Sequence, residues 1–310
     1  MKSFDIVTLT VNPALDKSAH FRGLVPEQKI RCGLPRYDAG GGGINVSKAI
    51  SRLGGQSYCV FTSGGPIGTM LKELVQKEKI EYEAIEIQSW TRESFVAVDD
   101  NTNLQYRFSF QGTEITTLEK DKIIQTIQKL KSNYLVISGG LNEGLSSDFY
   151  QIFTGIAKAS NSKLIVDTSG EALKKVIEAG VYMIKPNIGE LAKLIDVESL
   201  EMEEVNKAAK QIIAKGGAEI VVVSLGPQGA VLVTKDSYDF VPAPNVVKKS
   251  TVGAGDSMVG GMVWALSQNK NLKEVIRWGV ACGSAATMNE GTQLFKFEDA
   301  KRLFEWLKDK

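Results

Sequence analysis

Residues 251–261 read Thr-Val-Gly-Ala-Gly-Asp-Ser-Met-Val-Gly-Gly, and this stretch says more about function than any other in the chain. Residues 253–255 are too small to keep an anion away from the backbone, and the apolar run 258–266 predicts the helix that they open. The N–H groups at a helix N-terminus attract negative charge. Asp256 follows directly, where a carboxylate is electrostatically unfavourable unless it has a task, such as accepting a proton from an attacking hydroxyl.

A glycine-rich helix start with a solvated acidic residue is the simpler interpretation of this stretch when it is taken alone. The chain contains no G-x-x-x-x-G-K-[ST], so a Walker-type phosphate loop is excluded and residues 253–255 would have to take its place. The anion-binding interpretation therefore depends on the other parts of the chain.

Runs rich in Val and Ile alternate with amphipathic stretches along most of the sequence. Several runs are continuously apolar, which is typical of a parallel sheet buried on both faces. The alternation predicts an α/β fold, a doubly wound three-layer αβα sandwich with its ligands at the carboxyl ends of the strands. The predicted strands are 6–10, 58–63, 134–138, 163–167, 181–185 and 220–224, and the predicted helices are 45–53, 71–79, 118–131, 148–159 and 203–215.

Two segments interrupt this alternation, at about 13–37 and 91–112. Both read as extended, with a clean period of two in Phe95-Val96-Ala97-Val98 and in Leu104-Gln105-Tyr106-Arg107-Phe108. Such strands are expected to form a small antiparallel sheet that is half solvated or paired with a partner. No repeat or Pro-rich linker divides the chain, so we interpret residues 1–310 as one domain.

The composition excludes several classes of function. With 43% hydrophobic and 24% charged residues the chain is typical of a globular protein, and its net charge of +1 gives no electrostatic case for nucleic acid or a membrane surface. The longest apolar runs are far shorter than the ~20 residues that span a bilayer. A single histidine argues against a Ser-His-Asp hydrolase, and three isolated cysteines argue against a disulfide framework or a zinc site. Since no secretion signal is recognisable, we expect a cytoplasmic protein.

Five motifs together resemble one known family. Thr-Val-Gly-Ala-Gly-Asp-Ser at 251–257 resembles the C-terminal signature of the ribokinase/PfkB sugar kinases, and Gly-Gly-Gly-Gly-Ile-Asn-Val at 40–46 resembles their N-terminal signature. Asp-Thr-Ser-Gly at 167–170, Lys-Pro-Asn-Ile-Gly-Glu at 185–190 and Ser-Leu-Gly-Pro-Gln-Gly at 224–229 have counterparts in the same order. The resemblance implies a ribokinase-like fold in which the strands of 13–37 and 91–112 form a lid over the sugar, and in many members also the interface of a homodimer.

The resemblance also implies roles for individual residues. Asp256 would be the general base, and the N–H groups of Gly253, Ala254 and Gly255 would form the anion hole for the transferred phosphoryl group. The implied sugar-binding residues are Asp16, Gly41, Gly42 and Asn45, and the implied ATP-binding residues are Lys185, Asn187, Ser224, Gly226, Gly229, Gly283 and Asn289.

Two cation sites follow from the resemblance. Asn187 and Glu190 match an N-x-x-E motif that influences Mg²⁺ binding, and their i, i+3 spacing places both side chains on one helix face. A helix N-cap with a charged first turn is the alternative. A K⁺ site beside the anion hole would use Ser250, Val252, Ala286, Asn289 and Gly291. Two departures from the nearest relatives, Gln293 in place of Arg and Gly140 in place of Ser, affect the K⁺ site and one substrate hydrogen bond respectively.

Four basic residues in the two lid segments distinguish possible substrates. Lys29, Arg31, Arg92 and Arg107 match basic positions of sugar-phosphate kinases in the family, and guanidinium groups suit the bidentate capture of phosphate. Each alone could be a solvated strand residue, but four on one small sheet favour a phosphate site.

The resemblance thus implies ATP-dependent phosphorylation of a hexose phosphate. Fructose 6-phosphate is the first candidate, with 1-phosphofructokinase and tagatose-6-phosphate kinase activities as alternatives. A non-catalytic sugar-phosphate sensor would have lost Asp256 or the loop 253–255, and both are present. A nicotinamide-dependent oxidoreductase would need G-x-G-x-x-G after the first strand, where residues 10–16 contain no glycine.

Overall fold

Two β-sheets, one large and one small, organise residues 2–310, the part of the chain that the computed structural model describes. The strands are β1 (Lys2–Thr10), β2 (Ala14–Phe21), β3 (Arg36–Gly40), β4 (Tyr58–Ser63), β5 (Glu81–Glu86), β6 (Arg92–Asp99), β7 (Gln105–Ser109), β8 (Leu130–Ser138), β9 (Lys163–Asp167), β10 (Val181–Ile184), β11 (Ala218–Ser224), β12 (Gly229–Val233) and β13 (Tyr238–Pro242). The helices are α1 (Gly42–Arg52), α2 (Gly65–Lys77), α3 (Thr117–Gln128), α4 (Ile152–Ser160), α5 (Gly170–Glu178), α6 (Ile188–Leu194), α7 (Val205–Ala214), α8 (Ala254–Ser267), α9 (Leu272–Thr287) and α10 (Phe297–Lys308).

The large sheet has the order β13-β12-β11-β10-β9-β8-β1-β4-β5. The pairs from β5 to β11 are parallel, and only β12 and β13 add antiparallel strands at one edge. The strand order reverses direction at β1, from which the chain proceeds first to β4 and later to β8. The predicted doubly wound α/β sandwich is therefore confirmed, and its ligands are expected at the carboxyl ends of the central strands.

Helices cover both faces of this sheet. On β8, Leu135 and Ile137 pack into the core beneath α3, α5 and α7, whereas the neighbouring Tyr134 and Val136 pack into the core beneath α1, α8, α9 and α10. Burial on both faces is the reason why the strand sequences are continuously apolar. Among the helices of residues 2–310, none combines the length and the apolar character needed to cross a membrane.

The small sheet has the order β3-β2-β6-β7 and contains strands from both of the irregular segments. It is not purely antiparallel as predicted, because β2 and β6 run parallel, with Ala14 opposite Arg92. Both strands follow the carboxyl ends of parallel strands of the large sheet, β1 and β5, and so leave that sheet in the same direction.

The first irregular segment is also less extended than predicted. Residues 22–35 form no strand and connect β2 to β3 as a loop. Gly23, Pro26, Gly33 and Pro35 lie in this stretch, and glycine and proline both disfavour a continuous β-ladder. The prediction of extended structure over 13–37 is therefore wrong for its central part.

Candidate active site

The glycine-rich stretch opens α8 as the sequence predicts. Gly253 has φ 72°, in the left-handed region, and precedes the first residue of the helix. A Cβ atom at this position would lie 2.5 Å from Leu294 Cδ2, so the turn requires glycine for both backbone and steric reasons. Ser257 N–H donates to the Gly253 carbonyl at 2.8 Å. The N–H groups of residues 254–256 come before this first helical hydrogen bond, where a helix can bind an anion, and that of Ala254 makes only a 3.4 Å contact with the Thr251 carbonyl.

Asp256 lies in the first turn of α8 and is held from two other elements. Asn45 Nδ2, on α1, donates to Asp256 Oδ2 at 2.9 Å, although the two residues are 211 positions apart. Ser138 Oγ, at the end of β8, lies 3.5 Å from Asp256 Oδ1, the limit of a hydrogen bond. The carboxylate is therefore fixed at the carboxyl edge of the large sheet.

The surroundings of Asp256 raise its pKa to about 6. Burial is the largest cause, and the negative charge of Asp167 acts in the same direction, while the Asn45 hydrogen bond and the charge of Lys185 lower the pKa. Lys185 is itself buried and forms an ion pair with Asp167 of 3.2 Å between Nζ and Oδ1. With a pKa near 6 the carboxyl group is mostly ionised at neutral pH, so it can accept a proton.

Asp16, on β2, is a buried carboxylate and one of the predicted sugar-binding residues. It is 9% exposed and lies opposite Asp38 of β3, and a Cβ atom at Gly40 would overlap its carboxylate. Burial is again the main cause that raises the pKa of Asp16 to about 6, while the charges of Lys48 and Arg92 lower it.

The glycines at the start of α1 bring this helix close to the site. Gly41 has φ 119° and lies against Thr10, where a Cβ atom would come within 2.8 Å of the Thr10 Cγ2 atom. At Gly42 a Cβ atom would overlap Ser138 Oγ. The resulting close approach directs Asn45 towards Asp256, so the predicted sugar-binding residues of α1 lie together with the predicted base.

Two of the four predicted phosphate-binding residues lie at this edge. Arg92 begins β6, and its Nε donates to Asn12 Oδ1 at 2.8 Å. The Arg107 guanidinium, on β7, donates through NH2 to Thr251 Oγ1 at 2.9 Å. This contact connects the small sheet to the stretch before Gly253–Gly255, the predicted anion-binding residues, hereafter the anion loop.

The other two basic residues lie elsewhere in the protomer. Lys29 and Arg31 belong to the loop 22–35 and line a separate pocket of about 550 Å³ with His20 and Asp100. His20 is opposite Val98 in the β2–β6 register, six residues along from the Ala14–Arg92 pair, which is roughly 20 Å at 3.3 Å per residue. The predicted convergence of four basic side chains is therefore not seen within one chain, because the loop carries two of them to the far end of the small sheet.

A cleft of about 770 Å³ adjoins the start of α8. Of the predicted ATP-binding residues, it is lined by Asn187, Ser224, Gly226, Gly229 and Gly283, together with Ala254 and Gly255 of the anion loop. Lys185 and Asn289 are not among its lining residues. The cleft is also lined by residues that sequence reasoning missed, namely 243–246, Lys248, Met258, Val280 and Thr287. Apart from the charge of Lys248, these residues carry no signal in the sequence that would have identified them.

Asn187 and Glu190 form a reciprocal capping box at the start of α6. Glu190 N–H donates to Asn187 Oδ1 at 2.8 Å, and Asn187 N–H donates to Glu190 Oε2 at 2.8 Å. The helix N-cap that was the alternative to a Mg²⁺ site is therefore formed. It uses only one of the two carboxylate oxygens of Glu190, and within residues 2–310 no donor is hydrogen-bonded to the other, Oε1. This carboxylate oxygen is not used by the capping box and fits a hydrated Mg²⁺ bound through water.

The residues of the predicted K⁺ site lie around the end of α9. Ser250 Oγ donates to the Gly291 carbonyl at 2.8 Å, and Asn289 N–H donates to the Ala286 carbonyl at 3.2 Å. Val252 N–H donates to Ser250 Oγ at 3.2 Å. Carbonyl and hydroxyl oxygens are suitable ligands for a hard cation, and each carbonyl retains a second lone pair.

At Gly140 the departure from the family pattern leaves space rather than a clash. No atom lies within 4 Å of a Cβ placed at Gly140, so the serine of the relatives would be accommodated there. Gln293 N–H donates to the Glu290 carbonyl at 3.2 Å and belongs to the turn after Gly291.

The model of the pfkB family carbohydrate kinases matches residues 3–299. This chain is a member of the pfkB family of carbohydrate kinases. The match covers both sheets and the anion loop, so the fold and the arrangement of motifs belong to the same family.

Relatives within the pfkB family can be aligned with nearly the whole length of this chain. The sequence is 39% identical over 304 residues to the ATP-dependent 6-phosphofructokinase isozyme 2 of Escherichia coli K12, covering 97% of this chain and 98% of the relative. It is 30% identical to the 1-phosphofructokinase of Bacillus subtilis 168, covering 94% and 95% respectively. A crystal structure of phosphofructokinase-2 from Escherichia coli in complex with potassium superposes with a TM-score of 0.95 and 39% identity, covering 98% of this chain and 99% of the other.

Proposed function

We propose that this pfkB-family kinase transfers the γ-phosphoryl group of ATP to the free primary hydroxyl of fructose 6-phosphate, giving fructose 1,6-bisphosphate and ADP. The main observation is the position of Asp256. Its carboxylate contacts Asn45 on the sugar side, and the anion loop that precedes it lines the cleft proposed for ATP. The 39% identity to a 6-phosphofructokinase over nearly the whole chain supports this choice of sugar.

The proposed reaction needs one base and one anion hole. Asp256 accepts the hydroxyl proton while the hydroxyl oxygen bonds to the γ-phosphorus, and the bond from that phosphorus to the β,γ-bridging oxygen breaks to release ADP. The N–H groups of Gly253, Ala254 and Gly255 stabilise the negative charge on the transferred group. Asp16, Gly41, Gly42 and Asn45 hold the sugar, and Arg92 and Arg107 hold the phosphate that it already carries.

The cations have separate proposed sites. Glu190 and Asn187 would hold Mg²⁺ through water, and Mg²⁺ would neutralise charge on the phosphates of ATP when bound. Lys185 would contribute positive charge near Gly255, since its Nζ would lie 3.6 Å from a Cβ atom placed on that glycine. Ser250, Val252, Ala286, Asn289 and Gly291 would hold K⁺, as suggested by the potassium complex of the Escherichia coli relative.

We propose that residues 1–310 form one domain, in which the small sheet is a lid over the sugar and the interface of a homodimer. The outer part of this sheet and its loops expose large apolar side chains, which favours burial against a partner. These side chains are Leu24, Val25, Leu34, Leu104, Phe108 and Phe110. A second chain, or a movement of the loop 22–35, would be needed to bring Lys29 and Arg31 to a sugar phosphate. One Escherichia coli phosphofructokinase-2 structure is described as a tetrameric inhibited form, so a sedimentation measurement should distinguish dimer from tetramer.

A panel of acceptors tests the proposed function. The protein is assayed with Mg-ATP and fructose 6-phosphate, fructose 1-phosphate, tagatose 6-phosphate or fructose, and ADP formation and product identity are measured. We expect the largest kcat/KM with fructose 6-phosphate. Faster turnover of another phosphate would move the assignment to 1-phosphofructokinase or tagatose-6-phosphate kinase, and equal turnover of free fructose would refute the phosphate site. Sugar-phosphate binding without any ADP formation would identify a sensor.

A further inference from the structure

Asn12 connects three parts of the molecule that meet beside the sugar site. It lies between β1 and β2, and its Oδ1 accepts a hydrogen bond from Arg92 Nε at 2.8 Å. Its Nδ2 donates to the Leu141 carbonyl at 3.1 Å, in the loop that follows β8. Its backbone carbonyl lies 3.4 Å from Arg92 NH2. One short side chain therefore joins Arg92 to the loop that begins after Ser138.

The contacts determine the orientation of the Asn12 amide. An amide has one acceptor and one donor end, and here the acceptor faces a guanidinium N–H while the donor faces a carbonyl. The opposite orientation would place two donors against each other and two oxygens against each other. Gly112 packs against this amide, since a Cβ atom at Gly112 would lie 2.5 Å from Asn12 Nδ2. The Asn12 side chain is therefore fixed by its neighbours on both sides.

We propose that Asn12 is a positioning residue that holds the Arg92 guanidinium ready for the phosphate of the substrate, and so contributes to the selection of phosphorylated over free sugars. This inference rests on the proposed role of Arg92. By accepting the Nε–H, Asn12 fixes the plane of the guanidinium. The two terminal nitrogens form the fork that suits bidentate phosphate binding. Each makes only a long contact, NH1 to Ser109 Oγ and NH2 to the Asn12 carbonyl, both at 3.4 Å.

Asn12 is suited to this task because it is neutral. An aspartate at this position would accept the same hydrogen bond but would form an ion pair with Arg92 and reduce the positive charge available to phosphate. It would also place a carboxylate oxygen against the Leu141 carbonyl. An alanine would leave the guanidinium free to adopt other rotamers, which must then be ordered when the substrate binds.

A double-mutant cycle tests the proposal. Asn12→Ala is expected to raise the KM for fructose 6-phosphate about tenfold, since it removes one hydrogen bond to a charged group. The KM for ATP should stay within about twofold, and in an Arg92→Ala background the same substitution should have no further effect, because its whole contribution passes through Arg92. Asn12→Asp keeps the side-chain shape and should raise the KM for fructose 6-phosphate further than Asn12→Ala does. It replaces Asn12→Ala as the test if the alanine variant does not fold.

Asn142→Ala is the matched control. Asn142 lies in the same loop as Leu141 and also uses its Nδ2 to bind a backbone carbonyl, that of Thr113 at 3.0 Å, but it makes no hydrogen bond to Arg92. Its removal should leave the KM for fructose 6-phosphate within about twofold of the parent value. If Asn12→Ala and Arg92→Ala had independent, multiplying effects, or if only Arg92→Ala raised the KM, the positioning role would be overturned. If Arg92→Ala left the KM unchanged, the phosphate role of Arg92 would be overturned with it.

Discussion

The two ends of the proposed site are built in different ways. Around Asp256, side chains from α1, α8 and β8 meet within one rigid sandwich, and Asn45 is itself 7% exposed. On the small sheet, Arg107 is exposed and bound to Thr251, and Lys29 and Arg31 lie in a separate pocket. The difference indicates that the contacts around the proposed base Asp256 are complete in one chain, whereas the proposed binding of the substrate's phosphate would depend partly on where the small sheet and its loop lie.

The largest expected effect tests the rigid end. Asp256→Asn should lower kcat by about 10²–10⁴-fold while the affinities for ATP and sugar stay near normal, because a general base acts in the transition state. Steady-state kinetics with both substrates measure this. Asp236→Asn, on the exposed turn after β12, is the control and should be unchanged. An Asp256→Asn enzyme that kept more than about a tenth of the parent kcat would remove Asp256 from the role.

The second prediction compares the two basic pairs. Arg92→Ala should raise the KM for fructose 6-phosphate by about 10–100-fold without changing the KM for ATP, since a charge-assisted contact is worth about 1.5–3 kcal/mol. Lys29→Ala should raise the KM for fructose 6-phosphate only if a second chain or a loop movement brings Lys29 to the phosphate. Measuring both variants across protein concentration separates these cases, because an effect through a second chain disappears on dissociation. Equal, concentration-independent losses would show that Lys29 reaches the phosphate within one chain, and would contradict its contribution from a second chain.

The third prediction concerns pH. Asp256 and Asp16 both have pKa values raised to about 6, chiefly by burial. The base must be ionised to accept a proton, so kcat/KM should be highest above pH 6 and should fall as the pH drops through that value. If protonation of one carboxylate is responsible, the fall should be about tenfold per pH unit. A pH–rate profile of the free enzyme measures this, and its apparent pKa values belong to the two carboxyls together. A rate that stayed constant down to pH 4.5 would contradict a raised pKa for either group.

The smallest effect is expected at the capping box. Glu190→Gln retains a side-chain oxygen for the N–H of Asn187 but replaces the carboxylate by a neutral amide. The Mg²⁺ concentration at half-maximal rate should rise several-fold, because a charged outer ligand is lost. Glu204→Gln offers a matched control, since Glu204 Oε2 accepts the Glu201 N–H at 2.9 Å in a similar capping box. An unchanged Mg²⁺ dependence in the Glu190 variant would leave Glu190 with the capping role alone.

The fold could be predicted largely from local patterns. Continuously apolar runs predicted the central strands, and β4 and β9 begin and end at the predicted residues. The predicted helix 148–159 instead starts with a separate short 3₁₀ turn, Phe149–Gln151, before α4. The loop 22–35 departs from the predicted extended structure because its glycines and prolines disfavour a continuous β-ladder.

The candidate site was predictable only where its residues belong to motifs. Asp256, Asn45 and Gly253 could be named from sequence, since each sits in a signature stretch. Asn12 could not, because its partners Arg92 and Leu141 lie 80 and 129 positions away and no spacing along the chain indicates the contact.

The sequence by itself determined the α/β class, the glycine-rich turn at 253–255 and the acidic residue that follows it, since these depend on local periodicity and on backbone conformations that only small residues permit. Only the tertiary structure decided which distant residues meet at Asp256, how Asn12 holds Arg92, and that Lys29 and Arg31 lie away from them. The physical reason is that side-chain contacts across the sheet edge depend on strand order and loop paths, which bring residues together irrespective of their separation in the chain.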